Sequence, residues 1–154
     1  MQRWAMIMLF ILASGVEAGE LPSEVDLRAA YCLPIVRRWI DEVTSWEHEE
    51  KNPAQRAVIA DGLVQKRTDL RRLRLYLSTR IEHLDSLGLI VASKRGKEDL
   101  VTFDKSYNTC GAQCDHLLRK HSSSEWHACM DTCTADNPVF TRVKPCTDLT
   151  WLPF

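Results

Sequence analysis

Residues 110–133, CGAQCDHLLRKHSSSEWHACMDTC, place four cysteines and three histidines within twenty-four positions. Thiolates and imidazoles coordinate zinc and copper, cysteine pairs carry thiol–disulfide exchange, and oxidised cysteines cross-link a chain. The metal reading has a formal match, since Cys110-x3-Cys114-x12-His127-x5-Cys133 satisfies zinc-finger ligand spacing. His116, His121 and Cys129 would extend that donor set. A finger of this kind, however, needs strands ahead of its helix and apolar residues between its ligands. Here the cysteines lie on a helical row, and Ser124 stands where a core leucine would be needed. Redox enzymes place Cys-x-x-Cys at a helix start, which stabilises the thiolate. A CxxxC in mid-helix lacks that placement, and no Cys-x-x-Cys-His for haem attachment occurs.

Cross-linking is the reading that the spacing favours. Cysteines four apart share one side of a helix, one turn from each other. With two helices antiparallel about the serine turn, Cys114 lies seven residues before His121 and Cys129 five after Ser124. Cys110 and Cys133 are eleven and nine residues from the same edges. Cys114 therefore levels with Cys129 and Cys110 with Cys133, as the short reach of a disulfide demands. Loops of this size would each stabilise the fold by ~3 kcal/mol in the chain-entropy model. Cys32 and Cys146 are left, and by elimination they pair with each other.

The two CxxxC pairs resemble the twin-CxxxC helical hairpins of plant α-hairpinin peptides and of the small mitochondrial Tim chaperones. In both groups the inner and outer cysteines pair in this nested way. The resemblance spans only Cys110 to Cys133, about a sixth of the chain. It implies a connectivity and no function.

The elements that must position these residues begin with an export signal. MQRWAMIMLFILASGVEAGE carries Arg3, an apolar run from Trp4 to Val16 and small residues ending at Ala18. Those parts make a secretory signal peptide over residues 1–18, cleaved after Ala18. The run is too short to span ~30 Å of hydrocarbon. No cysteine follows it to take a lipid anchor. Residues 19–154 then suit a single domain in the periplasm or outside the cell, where an even cysteine count reads as a disulfide set. A net charge of −1 argues against general nucleic-acid binding. After cleavage no membrane segment is expected.

Apolar spacing predicts an all-α protein: an antiparallel pair of long helices, a disulfide-stapled helical hairpin and an irregular tail. The first helix, about 24–50, carries Val25, Ala29, Cys32, Val36, Trp39, Val43 and Trp46 on one face and is kinked or divided by Pro34. Asn52, Pro53 and Gln55 supply a capped start for a second helix over 53–92. Its leucine ridge Leu63, Leu70, Leu77, Leu84 and Val91 is flanked by Lys66, Leu73, Arg80 and Leu87, so a bundle helix fits better than a leucine zipper. Gly88 and Gly96 bracket the expected break. A third helix over 97–121 carries Leu100, Phe103, Tyr107, Cys110, Cys114 and Leu117. A fourth, 123–134, is capped by Ser122 with Glu125 and presents Trp126, Cys129 and Cys133. Asp136-Asn137-Pro138 ends it, and the tail is 135–154, with Trp151 and Phe154 packed against the bundle.

Charge is unevenly placed: residues 20–50 hold eight acids and three arginines, while residues 51–80 hold eight bases and two acids. The stripe Arg67, Arg71, Arg74 is thus expected to face solvent, with the acidic first helix as its local partner. No phosphate-binding glycine loop or serine elbow occurs. Glu-His-Glu-Glu at 47–50 lacks the second histidine of a zinc protease, and His83 with Glu82 or Asp85 is an ordinary helix-surface pair. A non-catalytic binding, inhibitory or structural module follows, with an unidentified protein partner and no cofactor. Its first alternative is a metal-binding or metal-delivery protein using Cys110, Cys114, His116, His121, His127, Cys129 and Cys133. The second is a thiol oxidoreductase.

Overall fold

The computed structural model describes residues 20–82, 84, 86–118 and 123–153. The expected signal peptide, His83, Asp85, His121, Ser122 and Phe154 lie outside the described residues. Among those described, the elements are α1 (Glu24–Glu49), α2 (Pro53–Arg80), α3 (Ser86–Leu118), α4 (Ser123–Ala135) and α5 (Pro138–Val143), then a 3-10 turn at Lys144–Cys146. The class is all-α. An isolated bridge between Glu20 and Leu84 ties the segment ahead of α1 to the α2–α3 connection. No helix among the described residues is long and apolar enough to cross a membrane.

α1 is the central element. Ser23 caps it, its hydroxyl accepting from the Asp26 amide while the Asp26 carboxylate accepts from the Ser23 amide. Ala29 and Ala30 are both buried, as are Ile35 and Val36, so more than one stripe of the helix faces inward. This follows from α1 packing against α2 on one side and α3 on the other. Pro34 neither divides nor ends α1, which stays helical from Glu24 to Glu49. Asn52 caps α2 through a bond from the Ala54 amide, and its own amide donates to Glu50 rather than meeting Gln55.

The α2–α3 boundary corrects the sequence expectation. α2 ends at Arg80 rather than 92, and α3 starts at Ser86 rather than 97. Gly88 and Gly96 are therefore helical residues, not the flanks of a break. Gly96 is buried where α3 crosses α1, and a Cβ there would overlap the Tyr31 carbonyl and crowd the Pro34 ring. Leaving out the side chain lets the two backbones approach. α3 then runs for 33 residues, about 50 Å at 1.5 Å per residue, and serves both the bundle and the hairpin. The expected pair of long helices is in fact three.

The tail is not irregular throughout. Asn137 accepts from the Val139 amide and Pro138 occupies the first turn, so the residues that end α4 also start α5. Val139, Val143, Cys146, Leu149 and Leu152 join the main core. A second, small core of Cys110, Cys114 and Met130, with Trp126 beside it, lies inside the α3–α4 hairpin.

Candidate functional site: a groove between α1 and α3

The cysteine–histidine stretch forms the α3–α4 hairpin. Cys110 bonds to Cys133 and Cys114 to Cys129, with Cα–Cα distances of 5.8 and 5.9 Å. Cys32 bonds to Cys146 at a Cα–Cα distance of 5.2 Å. No free cysteine remains. Sulfurs held in disulfides offer no thiolate to a metal. His116 and His127 are exposed; the first lies against the Gln113 carbonyl and the second stands edge-on to Trp126. Among the described residues no three His, Cys, Asp or Glu side chains converge as a metal site would require. The structure thus draws the four cysteines inward in two pairs and leaves these two histidines outside.

The charge pattern follows expectation in part: Arg67, Arg71 and Arg74 are exposed. Among the described residues no ion pair joins Arg67, Arg71 or Arg74 to the acids of α1. The acids that matter are buried. Asp26, fully buried, accepts from the Tyr76 hydroxyl at 2.8 Å, the Ser23 hydroxyl at 2.6 Å and Arg80 Nε at 3.2 Å. Burial pushes its pKa up, but the bonds from Ser23, Arg80 and Tyr76 outweigh this and hold it at about 2. Asp99 meets Arg142 side-on, through Nε at 2.8 Å and Nη2 at 2.7 Å, and accepts from the Tyr31 hydroxyl at 2.9 Å. Arg142 holds the Asp99 carboxyl below the usual carboxylate range against the opposing effect of burial. Burial and the bond to Asp99 push the Tyr31 phenol up, and Tyr76 moves the same way beside Asp26. Both knots therefore sit at neutral pH as carboxylate, phenol and guanidinium. Neither has a group moved toward neutrality, where general acid–base chemistry needs one.

Beside the Asp99 knot, α1 and the N-terminal half of α3 enclose a groove of ≈860 Å³. Leu27, Leu87, Gly88, Val91 and Ala92 form its apolar lining. Arg28, Arg95, Arg142 and Tyr31 supply its polar side, and Pro145 closes one edge. Leu87 and Val91 are 64% and 58% exposed. Ile90, next to them in the chain, is 62% exposed. The groove is concave and mainly apolar, with a few polar groups along one side.

Four interactions position the wall. The Cys32–Cys146 bond anchors the chain after α5 to α1. Trp151 donates from Nε1 to the Pro145 carbonyl at 2.9 Å and lies under the Arg28 guanidinium, 5.3 Å from its ring centroid. Lys66 Nζ reaches the Thr147 carbonyl at 2.7 Å. Further along α1, Arg37, Arg38, Arg74 and Lys97 line a cleft of ≈670 Å³ together with Asp41 and Asp104. Its charges are mixed, and Leu33, Pro34, Leu100 and Val101 supply its apolar part.

Sequence reasoning did not single out the groove. Its signal was the run Leu87-Gly88-Leu89-Ile90-Val91-Ala92, too apolar for a helix with only one buried stripe. Comparison with protein-family models, with curated proteins and with solved structures finds no match for this chain.

Proposed function

We propose that this chain is an exported, disulfide-stabilised binding module, without catalytic activity, whose α1–α3 groove takes an apolar ligand. The observation that carries this reading is the groove itself: an apolar surface left open beside a fixed knot of polar side chains. Three disulfides suit an oxidising compartment, the periplasm or the cell exterior. Ionised carboxylates and protonated phenols suit a rigid frame better than a reaction centre.

Nile red, an uncharged dye that brightens in apolar surroundings, tests the reading. The folded protein is expected to raise its emission saturably. Ala92→Trp, which fills the groove from its half-buried wall, should abolish the rise without lowering the melting temperature by more than a few degrees. Absence of binding to the wild-type protein, or equal binding to Ala92→Trp, overturns the proposal.

A further inference from the structure

We infer that the groove's ligand is a single-chain anionic amphiphile, a fatty-acid-like carboxylate whose head meets Arg95; this rests on the binding role proposed above. The groove is graded along its length. Leu87 and Arg95 lie eight residues apart on α3, roughly 12 Å along the helix axis. Leu27 lies beside Gly88 at the apolar end, and Tyr31 lies beside Gly96 at the other. An acyl chain laid along Leu87, Val91 and Leu27 therefore brings its head to Arg95, while Arg28, one residue past Leu27 and bonded back to Glu24, flanks the chain.

The arginines differ in what already occupies them. Arg142 is committed to Asp99 through two nitrogens and acts as a fixed wall. Arg28 shares Glu24, a largely exposed acid 2.8 Å away, and keeps its remaining donors. Arg95 lines the groove and forms no ion pair among the described residues, though its charge also helps hold down the Asp99 carboxyl one turn further along α3. The three guanidinium groups of the lining face the carboxylates of Glu24 and, behind Arg142, Asp99, which leaves an excess of one positive charge. A carboxylate head can take a forked pair of N–H bonds from Arg95. A neutral head forgoes the charge, and a quaternary ammonium head meets like charge. The volume lies within the roughly 300–1,000 Å³ of small-ligand sites. The exposure of Leu87 and Val91 leaves one side of the bound chain in water, which suits reversible carriage or sensing more than permanent storage.

Displacement of Nile red below micelle-forming concentrations tests the inference, with dodecanoate, dodecanol and dodecyltrimethylammonium as competitors. Dodecanoate should compete about tenfold better than dodecanol, as a charge-assisted, partly exposed hydrogen bond would give. The ammonium compound should compete worst. Arg95→Gln should remove most of the preference for dodecanoate while leaving dodecanol unchanged, and Arg28→Gln with Arg95→Gln should equalise the two. Equal thermal melting of the variants and the wild-type protein controls for folding. Nile red binding with no preference among the three heads, or a preference that survives both substitutions, overturns the anionic ligand and leaves the groove standing. Failure of Nile red to bind the wild-type protein overturns the groove and the inference together.

Discussion

Two aspartates do more to fix this molecule than any exposed ion pair. Asp26 and Asp99 each gather a tyrosine and an arginine from distant parts of the chain, the partners lying between 43 and 68 residues away. Asp26 titrates at about 2 against an ordinary 3.8, so the folded state binds fewer protons than the unfolded state in that window. Its contribution, about 2 kcal/mol, is complete above about pH 4 and drains away as the pH falls from 4 to 2. Asp26→Asn should lower stability by about that amount at pH 7 and make the acid-side loss shallower. Urea unfolding at pH 7 and pH 3 measures both effects, and an undiminished acid limb would place the sensitivity elsewhere. Neither knot was legible in the sequence. A buried aspartate looks like any other helix-surface acid until tertiary structure supplies partners so far off in the chain. The Ser23–Asp26 capping box was within reach of sequence reasoning, since a serine three residues ahead of an acid marks a helix start.

At the scale of elements, glycine gave the misleading signal. Gly88 and Gly96 read as a helix break because glycine costs about 1 kcal/mol in a helix interior. At Gly96 the loss is offset by close contact with α1, so packing overrides propensity. The real exit from α2, at Ile81 and Glu82, carries no glycine or proline and left nothing for the sequence to show. Gly96→Ala should therefore destabilise the bundle by ~1–3 kcal/mol or more, because the added methyl meets backbone rather than a movable side chain. Gly62→Ala, on an exposed part of α2 with nothing near the new methyl, should instead stabilise by about 1 kcal/mol. Thermal melts of the two variants should move in opposite directions. Asn-Pro shows the converse case. It announced the start of α2 at Asn52, yet the same pair at Asn137 was read only as the end of α4, and it opens α5 as well. The groove escaped notice for a related reason. In an almost wholly apolar run, periodicity cannot tell Leu89, which is buried, from Ile90 and Val91, which are not.

Across the whole molecule the three cross-links act at two ranges. Cys114–Cys129 and Cys110–Cys133 close short loops, spanning 15 and 23 residues, around a core that among the described residues holds three buried side chains. Their spacing was readable because both pairs fall on helical rows. Cys32–Cys146 closes 114 residues and joins the chain after α5 to the most buried part of α1. The chain-entropy model gives ~3 kcal/mol for the shortest loop and ~5 kcal/mol for the longest. Replacing Cys32 and Cys146 together by alanine should lower global stability by several kcal/mol in urea. Cys110→Ser should leave Cys133 open to alkylation and reduce hydrogen-exchange protection mainly within α4. Alkylation of Cys129 instead would show that the pairing is not nested.

The long-range bond also has a mechanical meaning. Tension applied between Glu20 and Pro153 travels through the short arms outside Cys32 and Cys146 and crosses from one arm to the other over a Cα–Cα gap of 5.2 Å. The 114-residue separation between those cysteines, on the order of 380 Å if drawn out, lies off the load path. Most of α1, all of α2 and α3, and both short cross-links would stay slack under a pull that straightens the arms. The groove, flanked by those arms, would feel the strain first. Under such a pull the domain is short and stiff, and the groove lies next to the path the force takes.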